Sequence, residues 1–326
     1  MNPKFKVLIT DPYHQNFRIE KEILAEINAE VIISHCKTEE DVIKICSSMD
    51  GLLVSYVPIG KKVIKNLRKC KVIVKYAVGA NYIDLEAATQ KGIYVANVPN
   101  YCIEEVSTHT VALLLNLVRN ILVYDKSIKK GTWDPLIGDP IFRIKNKVLG
   151  IIGFGHIGKR VAEKIRPFGL TILVYDPIVN NELISKYGAK KVELKTLLHQ
   201  SDYISLHCPL NKSTKYLIDF KEIKMMKKGV FIINASRGEI INQKALYDAL
   251  QNGKIARAAL DVLEKDPPSL TDIINTDNII YTPHVAWNSV EAETELRKSA
   301  AQEVKRVLEG GRPLNLVNKE LLKCYQ

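Results

Sequence analysis

Two α/β units, each built on a parallel sheet and the first of them discontinuous, form the architecture that this 326-residue sequence predicts. Two observations carry that prediction. Short apolar runs of strand length alternate with helix-like stretches in two separate series, and two longer helical stretches stand between and after them. Residues 5–10, 29–34, 51–55 and 72–76 make the first series. Residues 148–152, 171–175, 203–206, 230–234, 258–260 and 279–282 make the second. Between the series, Val106, Val111, Leu114, Leu115, Val118 and Leu122 recur at helical spacing until Gly131 stops the pattern, which predicts one long connecting helix over residues 104–130. Residues 289–308 carry Glu and Lys among apolar residues at the same spacing and stop at Gly310-Gly311, a second connector that returns the chain to the first unit. The predicted first domain is residues 1–100 plus 291–326, and the second is residues 101–290.

Composition narrows the class. With 46% hydrophobic and 25% charged residues the chain suits a soluble globular protein. No stretch approaches the ~20 consecutive apolar residues of a membrane helix, and Met1-Asn2-Pro3-Lys4-Phe5-Lys6 runs directly into a strand-like segment instead of a signal peptide. A cytoplasmic protein without a membrane partner is expected. Cys36, Cys46, Cys70, Cys102, Cys208 and Cys324 are scattered, with no CxxC pair and no metal-ligand spacing, so free thiols in a reducing compartment and no metal site are expected. The net charge of +11 comes from lysines spread along the whole chain, with no run of like charges and no interleaved aromatics. That pattern disfavours a nucleic-acid partner and suits small anionic substrates.

The strand 147–152 feeds directly into Gly153-Phe154-Gly155-His156-Ile157-Gly158 and then into a helical stretch from Lys159. In a GxGxxG turn the first glycine permits the tight bend, the second lets the backbone approach a pyrophosphate, and the third lets the helix pack on the strand. The helix N-terminus adds unpaired N–H groups and a positive dipole end. By itself such a glycine cluster also fits an ordinary loop. The next strand, however, ends in Asp176, 18 residues beyond Gly158 and close to the ~20-residue offset of a ribose-binding carboxylate. A carboxylate there accepts hydrogen bonds from ribose hydroxyls and repels a 2′-phosphate, so the cofactor expected is NAD.

Further motifs are Val78-Gly79-Ala80-Asn81 with Asp84, His207-Cys208-Pro209-Leu210 with Thr214, Asn234-Ala235-Ser236-Arg237-Gly238, Ala259-Leu260-Asp261-Val262 and Thr282-Pro283-His284. With the glycine turn and Asp176, they make the chain resemble the D-isomer-specific 2-hydroxyacid dehydrogenases along nearly its whole length. Pro283-His284-Val285-Ala286-Trp287 and the ending Arg312-Pro313-Leu314-Asn315-Leu316-Val317-Asn318 look most like the branch of the C-terminal binding proteins and phosphoglycerate-dehydrogenase-like enzymes. The resemblance implies two Rossmann-like domains with parallel sheets, a discontinuous flavodoxin-like substrate domain and an NAD-binding Rossmann domain. It also implies homodimerisation through the cofactor domain. The length implies no regulatory C-terminal extension.

For the reaction, the resemblance implies hydride transfer between NAD(H) and a small anionic (2R)-hydroxy acid or 2-keto acid. Such chemistry needs a cation beside the carboxylate and carbonyl, a proton donor for the developing alkoxide, and a bound dinucleotide. Arg237 matches the cation and His284 the acid–base residue. The family's glutamate partner of that histidine is replaced by Asp266, one methylene shorter, before Pro267; Glu264 is the alternative partner. Asp261 matches a carboxylate that contacts the nicotinamide carboxamide or its ribose. Asn234, Ala235, Ser236, His207, Cys208 and Pro209 match loops lining the cofactor, and Thr214 is expected near the diphosphate. Val78, Gly79 and Ala80 are expected to offer backbone N–H groups to the substrate carboxylate across a cleft. By the same resemblance Lys75 is expected to add a second cation there, Tyr56 to close the pocket and Trp287 to wall it. The competing reading is an NAD-sensing scaffold of the C-terminal binding protein type with little turnover, kept open by the shortened Asp266.

Overall fold

The computed structural model describes residues 3–12, 16–138, 140–274 and 276–325. The chain divides into two compact units, Met1–Tyr101 with Ser289–Gln326, and Cys102–Asn288.

The first unit holds five strands: β1 (Phe5–Ile9), β2 (Ala29–Ile33), β3 (Gly51–Val54), β4 (Val72–Lys75) and β5 (Tyr94–Ala96). All pair in parallel in the order β2-β1-β3-β4-β5, the flavodoxin-like arrangement. The central strands β3 and β4 are buried throughout, so they read in sequence as continuous apolar runs. Strand β5 escapes the sequence reading because three residues are too few to show a period. The helix Val290–Leu308 packs on β3 and β4 and on the helix Arg18–Ala25. There the buried Arg297 forks onto Glu20 at 2.9 and 2.8 Å, and the Tyr76 hydroxyl donates to the same carboxylate at 3.1 Å. After the helix, Val317 N–H donates to Val95 O at 2.8 Å and Asn318 accepts Val95 N–H at 2.9 Å, tying the C-terminal segment to β5.

The second unit holds seven strands: β6 (Val148–Ile152), β7 (Thr171–Tyr175), β8 (Ala189–Lys191), β9 (Tyr203–Leu206), β10 (Val230–Asn234), β11 (Ile255–Leu260) and β12 (Ile279–Tyr281). They pair in parallel in the order β12-β11-β10-β9-β6-β7-β8, a Rossmann sheet whose strand order reverses between β6 and β9. Alternate residues feed two cores. Ile152, Ile204, Ile232 and Leu260 meet Leu197 and Leu246 on one face. Leu149, Ile151, Val174 and Ile233 meet Leu113, Leu117, Val161 and Ile165 on the other. Strand β8, absent from the predicted series, is Ala-Lys-Lys and has no apolar period to find.

The single connecting helix predicted over 104–130 is two helices, Ile103–Arg119 and Ile121–Lys129, bent by 63° at their junction. Asn120 causes the break. It adopts the left-handed conformation (φ 56, ψ 28), which asparagine tolerates, and its side chain accepts from the buried Arg257 guanidinium. Arg257 also donates to Leu117 O at 3.1 Å, capping the first helix. Among the described residues no single helix is long and apolar enough to cross a membrane, and no cluster of His, Cys, Asp and Glu could hold a metal ion. Cys36, Cys46, Cys70, Cys102 and Cys208 are free and buried; the Cys324 side chain lies outside the described residues.

Candidate active site

Each motif of the second unit follows the carboxyl end of a strand, so one edge of the sheet gathers them. After β6, the three glycines face three different surroundings. At Gly153 (φ 91) a Cβ would lie 2.5 Å from Cys208 N and 2.6 Å from the His207 carbonyl carbon. At Gly158 it would strike Gly153 O. At Gly155 nothing lies within 4 Å. Two glycines therefore serve packing, and the middle one leaves a cradle that a side chain would fill. Gly155 is also the N-cap of the helix His156–Ile165 and has no side-chain cap, so the first-turn N–H groups are left for an anion. This donor set fits a dinucleotide pyrophosphate. His156 is exposed at the first turn and Ile157 packs partly against the core. Phe154, within the expected cofactor turn, has its ring fully buried, edge-on to Tyr187 at 5.5 Å, and its N–H donates to Asp176 Oδ2 at 2.8 Å.

Asp176, after β7, also accepts the N–H groups of Ile178 (2.8 Å) and Val179 (2.9 Å). Partial burial works against its charge, but these three backbone donors outweigh it and hold its carboxyl below the usual range. It is ionised and fixed in direction at the strand end, as ribose binding requires.

The glycines give a paired prediction. Gly155→Val is expected to fold with a melting temperature near wild type but to weaken NADH binding at least ~10-fold, since it blocks close backbone approach. Gly153→Val meets the His207-Cys208 backbone at positive φ and should lose stability outright. Thermal melts and NADH fluorescence titration check both; tight NADH binding by Gly155→Val would contradict the assignment.

After β9, His207 and Cys208 lay their backbone across Gly153. Burial lowers the His207 imidazole to about 4, and its Nε2 lies 2.8 Å from Ser205 Oγ. Burial pushes the Cys208 thiol up to about 11. Both are neutral at pH 7, so they shape the turn and carry no charge into it. Pro209 and Thr214 clasp the following loop: Thr214 Oγ1 donates to Pro209 O at 2.6 Å and accepts Asn211 N–H at 2.8 Å.

After β10, the buried Asn234 builds the turn that presents Arg237. Its Oδ1 accepts Ser236 N–H and Oγ–H at 3.0 and 2.8 Å, and its Nδ2 donates to Arg237 O at 2.9 Å. Ala235 sits half-buried between them. Arg237 donates one guanidinium N–H to Ser236 O at 2.7 Å. The next residue, Gly238, is a close-packing point: a Cβ there would strike the Leu263 carbonyl. The Arg237 turn and the loop after β11 are thereby pressed together.

That loop decides between the two carboxylates. Glu264 turns toward the helix Gln243–Gln251, accepting Gln243 N–H at 2.6 Å. Asp266 instead hydrogen-bonds His284 Nδ1, with both side chains partly exposed. The shorter side chain reaches because the loop carries it there. Asp261, expected to contact the nicotinamide carboxamide or its ribose, follows β11 and is engaged within the protein. Its carboxylate is 1% exposed and accepts from Thr282 Oγ1 (2.6 Å), Val285 N–H (2.9 Å) and Ala286 N–H (3.0 Å). His284 N–H in turn donates to Asp261 O at 2.9 Å, and His284 has φ 50. Asp261 thus folds the turn that carries His284, and Trp287 follows it, half-buried.

In the first unit, the remaining residues lie at the carboxyl edge of its own sheet. Lys75 ends β4, is 4% exposed, and has its ammonium 5.5 and 5.0 Å from the ring centres of Tyr56 and Tyr82. Asp11 accepts the N–H groups of Ser55 (2.9 Å), Tyr56 and Val57 (2.8 Å), fixing that loop. Asn97 Nδ2 donates to Val78 O at 2.5 Å, fixing the peptide that leads into Gly79 and Ala80.

Residues 111–286 match the family model of the D-isomer specific 2-hydroxyacid dehydrogenase, NAD binding domain. The chain belongs to this family. Residues 111–286 therefore form its NAD-binding domain, consistent with the Gly155 cradle and Asp176. A D-3-phosphoglycerate dehydrogenase of Methanocaldococcus jannaschii is 38% identical over 315 residues, 96% of this chain and 59% of that protein. This chain thus spans about three fifths of that relative's length. A glyoxylate reductase of Thermococcus litoralis is 37% identical over 270 residues, 81% of this chain and 82% of that protein. Among solved structures, D-lactate dehydrogenase from Aquifex aeolicus, complexed with NAD and lactic acid, matches with a TM-score of 0.85 at 29% identity, covering 98% of each chain.

For this dehydrogenase family member, the sequence reading named the motif residues but not those that hold them. Asp11, Asn97, His109 and the packing role of Gly238 were not singled out, because each acts on a segment far away in sequence. Only Gly238 and Thr282 carried a signal, as neighbours of Arg237 and His284.

Proposed function

We propose that the chain is an NAD-dependent dehydrogenase that interconverts a small anionic 2-keto acid and the (2R)-hydroxy acid. The observation that carries this reading is the His284 imidazole held at Nδ1 by Asp266, on the sheet edge that also bears Arg237 and the glycine cradle.

NADH, when bound, supplies the hydride to C2 of the keto acid. The work of the chain is to orient the acid and to move one proton. With Nδ1–H donating to Asp266, Nε2 is the free end of the imidazole; protonated, it donates its hydrogen to the carbonyl oxygen as that oxygen becomes an alkoxide. In the oxidative direction neutral Nε2 takes the hydroxyl proton. Asp266 stabilises the imidazolium and fixes its ring. Arg237, with one N–H held by Ser236 O, has others for a fork onto the substrate carboxylate and for polarising the carbonyl. Val78 and Gly79 would offer N–H groups to that carboxylate, Lys75 would add positive charge, and Trp287 would favour a substrate with an apolar tail. Asp261 acts on the site through the turn it folds.

Asp266 meeting His284 supports turnover over the sensing-scaffold alternative, which rested on the shortened side chain. The test is NADH oxidation at 340 nm with glyoxylate, hydroxypyruvate, pyruvate, 2-ketobutyrate, 4-methyl-2-oxopentanoate and 3-phosphohydroxypyruvate. Turnover of at least one is expected; tight NADH binding with none turned over favours the scaffold.

A second copy of the chain is the proposed partner. Ile121, Leu122, Ile128, Trp133, Leu136 and Phe142 lie exposed along one stretch of the second unit, the two residues Trp133 and Leu136 at 86% each. So much exposed apolar surface in one segment supports this reading. Light scattering should give about twice the 36.8 kDa chain mass; a monomer at micromolar concentration would overturn this.

A further inference from the structure

We infer that His109 is a positioning residue for the proton donor His284, acting through Thr282 and Asp261; this rests on the dehydrogenase reading above. His109 lies in the helix Ile103–Arg119, the first of the second unit, with its side chain 25% exposed. Its Nε2 is 3.1 Å from Thr282 Oγ1 and 3.8 Å from Asp261 Oδ1. Hydrogen bookkeeping fixes the direction of these bonds. A threonine hydroxyl has one hydrogen and an ionised carboxylate has none, so at 2.6 Å the Thr282 hydrogen points to Asp261. Thr282 Oγ1 can then only accept from His109, which must carry its hydrogen on Nε2.

A directed relay results, His109 to Thr282 to Asp261, in which each donor polarises the next. The same carboxylate accepts the N–H groups of Val285 and Ala286 at 2.9 and 3.0 Å, so Asp261 holds Thr282 before His284 and Val285 and Ala286 after it. His284 between these holds sits at φ 50, an uncommon conformation for a residue other than glycine, with its own N–H on Asp261 O and Thr282 O at 2.9 and 3.0 Å. Two holds therefore fix the donor. Asp266 fixes the ring at Nδ1, and the relay fixes the backbone from which the ring projects. The relay also ties the first helix of the unit to its last turn, since Asn288 is the unit's final residue. A purely packing role would need none of this polarity: Val106, Leu113, Leu114 and Leu117 on the same helix are simply apolar and buried.

The test uses the full chain with His109→Leu, which removes the donor, and His109→Gln, whose amide nitrogen can take the place of Nε2. Thr282→Val breaks the relay at its middle and stands in if His109→Leu does not fold. Amide exchange of Val285 and Ala286 reads the turn without any need for turnover. Steady-state kinetics on the best keto acid read the donor. In His109→Leu and in Thr282→Val, exchange should rise at least ~10-fold and kcat fall ~10-fold, because small misplacements of a reacting group are costly. KM and NADH affinity should stay within about twofold. His109→Gln should recover both quantities to within about threefold of wild type, and the double variant His109→Leu, Thr282→Val should be no slower than the slower single. Unchanged exchange, faster exchange with unchanged kcat, additive losses in the double variant, or no recovery in His109→Gln would each overturn the inference. A wild-type chain that reduces no keto acid would refute the dehydrogenase reading separately, and exchange would still decide whether His109 holds the turn.

Discussion

His284→Ala lowers kcat for keto-acid reduction by ~10²–10⁴-fold, the usual worth of a positioned general acid, while KM and NADH affinity change little. The alkoxide that forms as hydride arrives would otherwise have to take its proton from water, which is neither aimed nor acidic enough. Asp266 sharpens the prediction, because it touches Nδ1 of that ring and nothing in the cofactor cradle. Asp266→Ala should lose kcat by a smaller factor than His284→Ala, and Asp266→Asn should resemble it, since an amide can hold the ring but not stabilise the imidazolium. Glu264→Ala should leave kcat near wild type, because Glu264 is engaged with Gln243 N–H at 2.6 Å and lies off the relay. Steady-state kinetics on the four variants checks the set. More than a tenth of wild-type kcat in His284→Ala would contradict the assignment, as would a larger loss in Glu264→Ala than in Asp266→Ala.

Arg237→Ala is expected to cost at least as much in kcat/KM, ~10³-fold or more, by losing both the grip on the carboxylate and the polarisation of the carbonyl. Both kcat and KM should suffer, because the carboxylate contact exists in the ground state and the oxygen contact strengthens only toward the transition state. Arg237→Lys should recover a minor part, since a point charge replaces a planar fork. The turn that presents Arg237 is built by Asn234 and Ser236 and should survive the substitution, so circular dichroism and melting temperature should stay near wild type. A rise in KM with kcat unchanged would reduce Arg237 to a binding residue and contradict the mechanism.

Most of the fold was legible because its strands are buried on both faces and so stand out as apolar runs, as in Val148–Ile152 and Val230–Asn234. The short edge strands β5 and β8 were not, since three residues give no period. The break at Asn120 was hidden for a different reason. Ile121 and Leu122 continue the apolar pattern, and the residue that stabilises the break, Arg257, lies 137 positions away. The site shows the same division. Gly155, Asp176, Arg237 and His284 announce themselves through spacing and motif, whereas the choice of Asp266 over Glu264 depends on where a loop turns. Phe154 and Asp261 stand out through their motifs, but the sequence does not show that the Phe154 ring fills the core or that the Asp261 carboxylate bonds the turn carrying His284. Side chains that hold a motif in place are invisible to a reading that looks only within it.

The most direct test of the account follows the hydride. With NADH dideuterated at nicotinamide C4 and the best keto acid of the panel other than glyoxylate, the product is predicted to be the (2R)-hydroxy acid carrying one deuterium at C2, its hydroxyl proton coming from solvent. A product without deuterium at C2, a (2S)-hydroxy acid, or no product from any keto acid would contradict it.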